Sequence, residues 1–217
     1  MVQTLVFAAA LVVLLAEGWY LCFRQVNRRR SRRILGWIKR AFSQGGSVGL
    51  VRWDSASWFH VELRLCPSIF RRAWLDVRLE PREMPLRWLL NRMHPWKETV
   101  TFAAELETHP GFNLYVQKHY WRARTCRARP KSLDGWSLHS LDAMVLSTQP
   151  ECQKKPGNVL DTLLAARSSE FLWVVFRKQA PQFAACAPLQ SLSPDERGAE
   201  IFDMLHALAN SASTSPQ

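Results

Sequence analysis

The chain has 217 residues, with 29 Lys+Arg against 18 Asp+Glu and a net charge of +11. Eight of the basic residues fall between residues 24 and 40, and one acid, Glu17, precedes them, leaving 21 basic against 17 acidic residues, a net of +4, for the rest. Charge gathered at one short stretch argues against a nucleic-acid-binding domain, which needs it on the folded surface. Five scattered cysteines with no Cys-x-x-Cys argue against a disulfide scaffold or a structural zinc site and suit a reducing compartment.

Residues 2–23 read VQTLVFAAALVVLLAEGWYLCF, with Glu17 their single charge. The strictly apolar part is short, but 22 helical residues cover roughly 33 Å, enough for a hydrocarbon core of about 30 Å. Trp19 and Tyr20 stand where an interfacial aromatic belt falls, and Glu17 is near enough to the end to reach headgroup water. A basic crowd follows: Arg24, Arg28, Arg29, Arg30, Arg32, Arg33, Lys39 and Arg40. A cleaved signal peptide puts its positive charge ahead of the apolar run, and here it comes behind. A buried core helix is at odds with so apolar a run followed at once by arginines. The expected reading is a transmembrane anchor at residues 1–23. Positive-inside bias puts the residues after it in the cytoplasm, on the inner face of the cytoplasmic membrane.

Residues 24–46 read as a basic juxtamembrane helix and hinge. Ile34, Leu35, Trp37, Ile38 and Phe42 recur at helical spacing among Arg32, Arg33, Lys39 and Arg40, as in a helix lying in the headgroup plane against anionic lipid. The duller alternative is that the arginines serve only as a topology signal. Gln44-Gly45-Gly46-Ser47 reads as the hinge.

Residues 47–130 read as β-rich. Residues 48–53 make a first strand. In residues 58–65 Val61, Leu63 and Leu65 alternate with His60, Glu62 and Arg64, and further on Ala73, Leu75, Val77 and Leu79 alternate with Trp74, Asp76, Arg78 and Glu80. Period two with charged residues on the wet face marks antiparallel strands with one buried side. Cys66-Pro67-Ser68 separates these two strands. Residues 86–93 read as a short helix or irregular insert, residues 98–107 as a strand, His109-Pro110-Gly111 as a turn and residues 112–121 as a further strand, which makes a meander of four or five strands. Residues 122–131, RARTCRARPK, form a basic loop, either a solvated linker or a second contact with lipid or RNA.

Residues 131–210 change texture into a smaller strand-helix-hairpin-helix unit, and residues 211–217 read as a disordered tail. Residues 138–146 suit a strand and Asn158 caps a helix. Residues 170–176 form a continuous apolar, central strand that pairs with residues 183–189 across a turn at residues 179–181. Ser193-Pro194-Asp195-Glu196 is a helix start with a capping box, followed by Ile201, Phe202, Leu205 and Leu208 on one face. On residues 141–208, with DAMVLSTQPE, NVLDTLLAA and the closing helix, the chain resembles the C-terminal part of certain bacterial single-span membrane-anchored proteins of unknown function. That resemblance implies an anchored α+β architecture, and no catalytic residue travels with it.

The chemical motifs are absent. There is no G-x-S-x-G, no phosphate-binding glycine loop and no H-E-x-x-H, so no catalytic, cofactor or metal residue is expected. His109 and His119 flank one strand without sharing an obvious face, and His206 sits beside Leu205 on the last helix. His139, Asp142 and Cys152 are a trio of the kind that ordinary sequences supply by chance. The ten tryptophans are either cross-strand packing or a partner surface. The expectation is an α+β domain on a membrane anchor that acts as a non-catalytic binding or scaffold module, with the anionic bilayer and a protein as partners. The alternatives are a membrane-tethered enzyme with an unrecognised site and a basic RNA-binding module.

Overall fold

The computed structural model describes residues 2–43, 45–65, 69–93, 98–118, 137–141, 144–148, 171–191 and 197–213. It opens on one helix, α1 (Val2–Ala41), of 40 residues, about 60 Å long at 1.5 Å per residue. The apolar run and the basic stretch, expected as two elements, form a single rod. Nothing between them stops a helix: the stretch has no proline, and Gly18 and Gly36 are isolated glycines with open space around the missing side chain.

The strands are β1 (Gly46–Trp53), β2 (Trp58–Leu65), β3 (Phe70–Arg78), β4 (Thr99–Leu106), β5 (Leu114–Lys118), β6 (Ser137–Leu141), β7 (Met144–Thr148), β8 (Trp173–Phe176) and β9 (Phe183–Pro188). A short helix, α2 (Pro85–Met93), lies between β3 and β4, and α3 (Arg197–Ser213) closes the described chain. All nine strands join one sheet in the order β1-β2-β3-β4-β9-β8-β5-β7-β6, and every pair is antiparallel. The fold is therefore α+β, as the patterning implies.

The meander differs from the expectation at its fifth strand. β4 pairs with β9, not with β5, and the β8–β9 hairpin is inserted between them, with Phe176 opposite Phe183. Strand composition explains the insertion. β8 is WVVF and β9 is FAACAP, apolar without alternation, so both faces can be buried and the sheet centre is their place. Residues 138–146 hold two strands and not one: β6 and β7 pair from Leu141↔Met144 outward, with two residues between them. The connection is too short to leave a separate signal for the fold-back in the pattern of SLHSL and MVLST.

One face of the sheet carries Phe59, Val61, Ala73, Leu75, Val77, Phe102, Ala104, Phe183 and Ala185 in a single core. Onto it pack the C-terminal half of α1, through Ile34, Leu35, Trp37, Ile38 and Phe42, and α3, through Leu205, Leu208, Ala209 and Ala212. The first set of side chains was expected in the headgroup plane; here they pack against the sheet, Ile38 and Phe42 buried and Ile34, Leu35 and Trp37 partly buried. Phe70, Phe102, Phe176 and Phe183 form a continuous aromatic chain, with ring centroids 4.9–6.4 Å apart. α3 reaches Ser213 with Ala212 buried, so three residues expected in the tail are helical. Cys66-Pro67-Ser68, the basic loop at residues 122–131, the helix after Asn158, the capping box at residues 193–196, and His94, His119, Asp142 and Cys152 lie outside the described residues.

Of the expected hinge, Gly46 and Ser47 belong to β1. Gly46 faces Leu65, and a Cβ there would stand 2.3 Å from the Arg64 carbonyl oxygen. Because the obstacle is backbone, Gly46→Ala is expected to lower stability by about 1–3 kcal/mol, read as a drop in the denaturation midpoint of the full chain in detergent.

Candidate functional site

The molecule's most distinctive surface is the first half of α1. Every described residue from Val2 to Gly18 is exposed. Its apolar window has a mean hydropathy of 2.1, and none of that window is covered by the rest of the protein. Among the described residues, α1 is the one helix long and apolar enough to cross a membrane. A water-facing domain keeps its contiguous apolar patches to a few hundred Å², and a bare apolar rod about 25 Å long far exceeds that.

The change from bare to packed surface along α1 happens at one stripe of side chains. Trp19, Phe23, Asn27, Ser31, Ile34 and Ile38 follow one another three or four residues apart and so share a face, with Arg30, three residues after Asn27, at its margin. Trp19 is half-buried, its ring centroid 4.4 Å from that of Phe23 and 5.8 Å from that of Trp88 on α2, and its Nε1 donates to the Arg82 carbonyl at 3.0 Å. Asn27 is 1% exposed, and its Nδ2 donates to Glu83 Oε2 at 2.6 Å and to the Glu80 carbonyl at 3.0 Å. Glu83, itself 4% exposed, also accepts from Ser57 Oγ at 2.8 Å. Ser31 Oγ donates to the Ala56 carbonyl at 3.2 Å, and Arg30 pairs with buried Glu98 at 2.5 Å. These polar contacts tie the rod to the β1–β2 turn, to the β3–α2 connection and to the start of β4. They fix its direction, since an apolar seam alone permits sliding and a buried carboxylate with two assigned donors does not.

The residues expected to touch lipid separate into two groups. Tyr20 is exposed, with the Arg24 guanidinium 5.8 Å over its ring. Arg28, Arg29, Arg32, Arg33, Lys39 and Arg40 are exposed and have no ion-pair partner among the described residues. Trp19, Arg30 and Trp37, by contrast, are held by protein contacts: Trp19 on α2, Arg30 on Glu98, and Trp37 on the sheet core. Sequence reasoning missed Asn27, Ser31, Ser57, Glu83 and Glu98. The available signal was two small polar residues, Asn27 and Ser31, four apart inside the basic run on the side that continues to Ile34 and Ile38.

Elsewhere the chemistry is self-contained. On the outer face of β1–β3, His60 Nε2 lies 2.8 Å from Asp54 and its Nδ1 3.7 Å from Asp76. Asp54 also meets Arg52 at 3.3 Å, and Asp76 meets Arg78 at 3.2 Å and accepts from Trp58 Nε1. This is a cross-strand ladder in which each carboxylate already has its cation or donor. No group of three His, Cys, Asp or Glu among the described residues is arranged to hold a metal ion. Cys186 is buried, and its burial pushes the thiol up to about 11, against the hydrogen bonds of Thr101 and Thr99 that lower it, so it is no nucleophile at neutral pH.

Three outcomes follow. Asn27→Ala removes two hydrogen bonds, one of them to a carboxylate, and is expected to cost about 1.5–3 kcal/mol in denaturant midpoint. At pH 8, mass spectrometry should find Cys186 unmodified by iodoacetamide in the folded chain and modified once guanidinium unfolds it. A folded thiol pKa raised from 9.0 to about 11 also means that stability present below pH 9 declines as pH rises toward 11. No protein-family model matches this chain, and no curated protein matches it.

Proposed function

We propose that the protein is a single-pass membrane-anchored domain: the first half of α1 spans the bilayer, and the sheet with its packed helices is held in the cytoplasm as a non-catalytic binding or scaffold module. The carrying observation is the complete exposure of the apolar half of a helix whose other half is built into the protein core. A core helix of a water-soluble protein hides its apolar window, and this one hides none. A discarded export signal needs no continuous helical connection into the domain it delivers, whereas α1 runs unbroken to Ala41 and supplies Ile38 and Phe42 to the core.

Orientation follows from the basic crowd. Exposed Arg28, Arg29, Arg32, Arg33, Lys39 and Arg40 stand just beyond the apolar section, on the domain side, where translocation would have to carry them through hydrocarbon. The same cations attract anionic headgroups at about 1 kcal/mol each near the surface.

The reading is tested on the full chain in cells. It should pellet with membranes, resist carbonate extraction, and carry a C-terminal green fluorescent protein in fluorescent form while a C-terminal alkaline phosphatase stays inactive. Recovery of the unprocessed chain in the high-speed supernatant, or an active phosphatase, overturns it. Neutralising Arg28, Arg29, Arg32 and Arg33 to Gln, with Arg30 kept because it holds Glu98, should shift the reporters toward mixed topology without loss of the folded domain.

A further inference from the structure

α2 exposes a second apolar surface that neither the core nor the span explains. Leu86, Leu89 and Leu90 are 79%, 55% and 62% exposed, and Met84 just before the helix is exposed too. At 100° per residue, these three leucines share one face of the nine-residue helix, and Trp88 falls on the other. Trp88 is turned toward α1, its ring 5.8 Å from that of Trp19, and the neighbouring Arg82 carbonyl accepts the Trp19 indole hydrogen at 3.0 Å. α2 is thus fastened to α1 at the level of Trp19, with its leucines facing away.

That level decides what covers them. The wholly exposed stretch from Val2 to Gly18 rises about 25 Å, short of a hydrocarbon core of about 30 Å. The hydrocarbon must therefore take in the next few residues, Trp19, Tyr20 and Leu21, which brings the helix fastened to Trp19 to the boundary between acyl chains and headgroups. The exposed leucines stand at that depth, on the side of α2 turned away from α1. Lipid is already the occupant of the neighbouring surface, so a protein partner for this patch would have to bind within the headgroup layer.

The geometry points to α2 as a second membrane contact, its Leu86–Leu89–Leu90 face immersed in the acyl–headgroup boundary of the bilayer that α1 crosses. This rests on the anchor reading given above. The domain is then held to the membrane at two places, and tilt about α1 is suppressed. An interfacial helix of this kind adds apolar burial to the span and sets which face of the sheet is turned to the cytoplasm.

The test uses the full chain with Leu89→Cys or Leu86→Cys, the other cysteines replaced, labelled with the environment-sensitive fluorophore NBD and reconstituted in vesicles of phosphatidylcholine and phosphatidylglycerol. Leu50→Cys on exposed β1 is the control. Both α2 labels should show blue-shifted emission and lose roughly half of it to lipids carrying a shallow nitroxide, while the Leu50 label stays water-like and is quenched by iodide. Flotation on the same samples separates the two readings. Water-like α2 labels on chains that float with the vesicles overturn this contact and leave the anchor standing. Chains that do not float overturn both.

Discussion

A buried carboxylate governs how this protein is put together. Glu83, at the start of the approach to α2, accepts hydrogen bonds from Asn27 on α1 and from Ser57 between β1 and β2. Three parts of the chain far apart in sequence therefore meet at one group that cannot be left unsatisfied away from water without a cost of a few kcal/mol. On the N-terminal side of that meeting the stripe runs through Trp19, packed on α2, to the exposed section that ends at Gly18; on the other side it becomes Ile34 and Ile38 and enters the core. The polar contact sets the point at which one helix passes from bare surface to packed core.

Continuity of α1 gives this arrangement its mechanical character. A helix that is half uncovered rod and half core element leaves little freedom between the two parts, since bending it would break backbone hydrogen bonds or the contacts of Asn27, Arg30 and Ser31. The Arg30–Glu98 pair extends the restraint to the beginning of β4, so both ends of the α2 excursion are held against α1. Arg28, Arg29, Arg32, Arg33, Lys39 and Arg40 around them stay exposed. Within one basic run, a single arginine is structural and most of its neighbours face solvent, a division set by which side of the helix each occupies.

The sheet shows how burial orders strands. Strands with one wet face, β2 and β3, lie toward one edge and carry the His60 ladder of paired charges. The hairpin with no wet face, β8–β9, takes the middle, where Ala185 sits opposite Phe102 and the Phe183 ring meets that of Phe102 on the neighbouring strand. The late-arriving hairpin therefore completes the core begun by strands about a hundred residues earlier, a non-local pairing that slows folding.

What the residues decided on their own is the character of each element. Alternation in β2 and β3, the unbroken apolar β8, the closing helix and the greasy first half of α1 all follow from local periodicity, because each reports which faces of an element must leave water. What only the tertiary structure decided is the set of partners. Nothing local in Gly46-Ser47 announces β1 in place of a hinge, nothing in Ile34–Ile38 distinguishes a lipid surface from a sheet as the apolar acceptor, and nothing in β4 reveals that β9, not β5, lies beside it. Asn27 and Glu83 are separated by 56 residues; their bond exists because the fold brings two polar groups into a dry space where each is the other's best available partner, a circumstance that no short stretch of sequence contains.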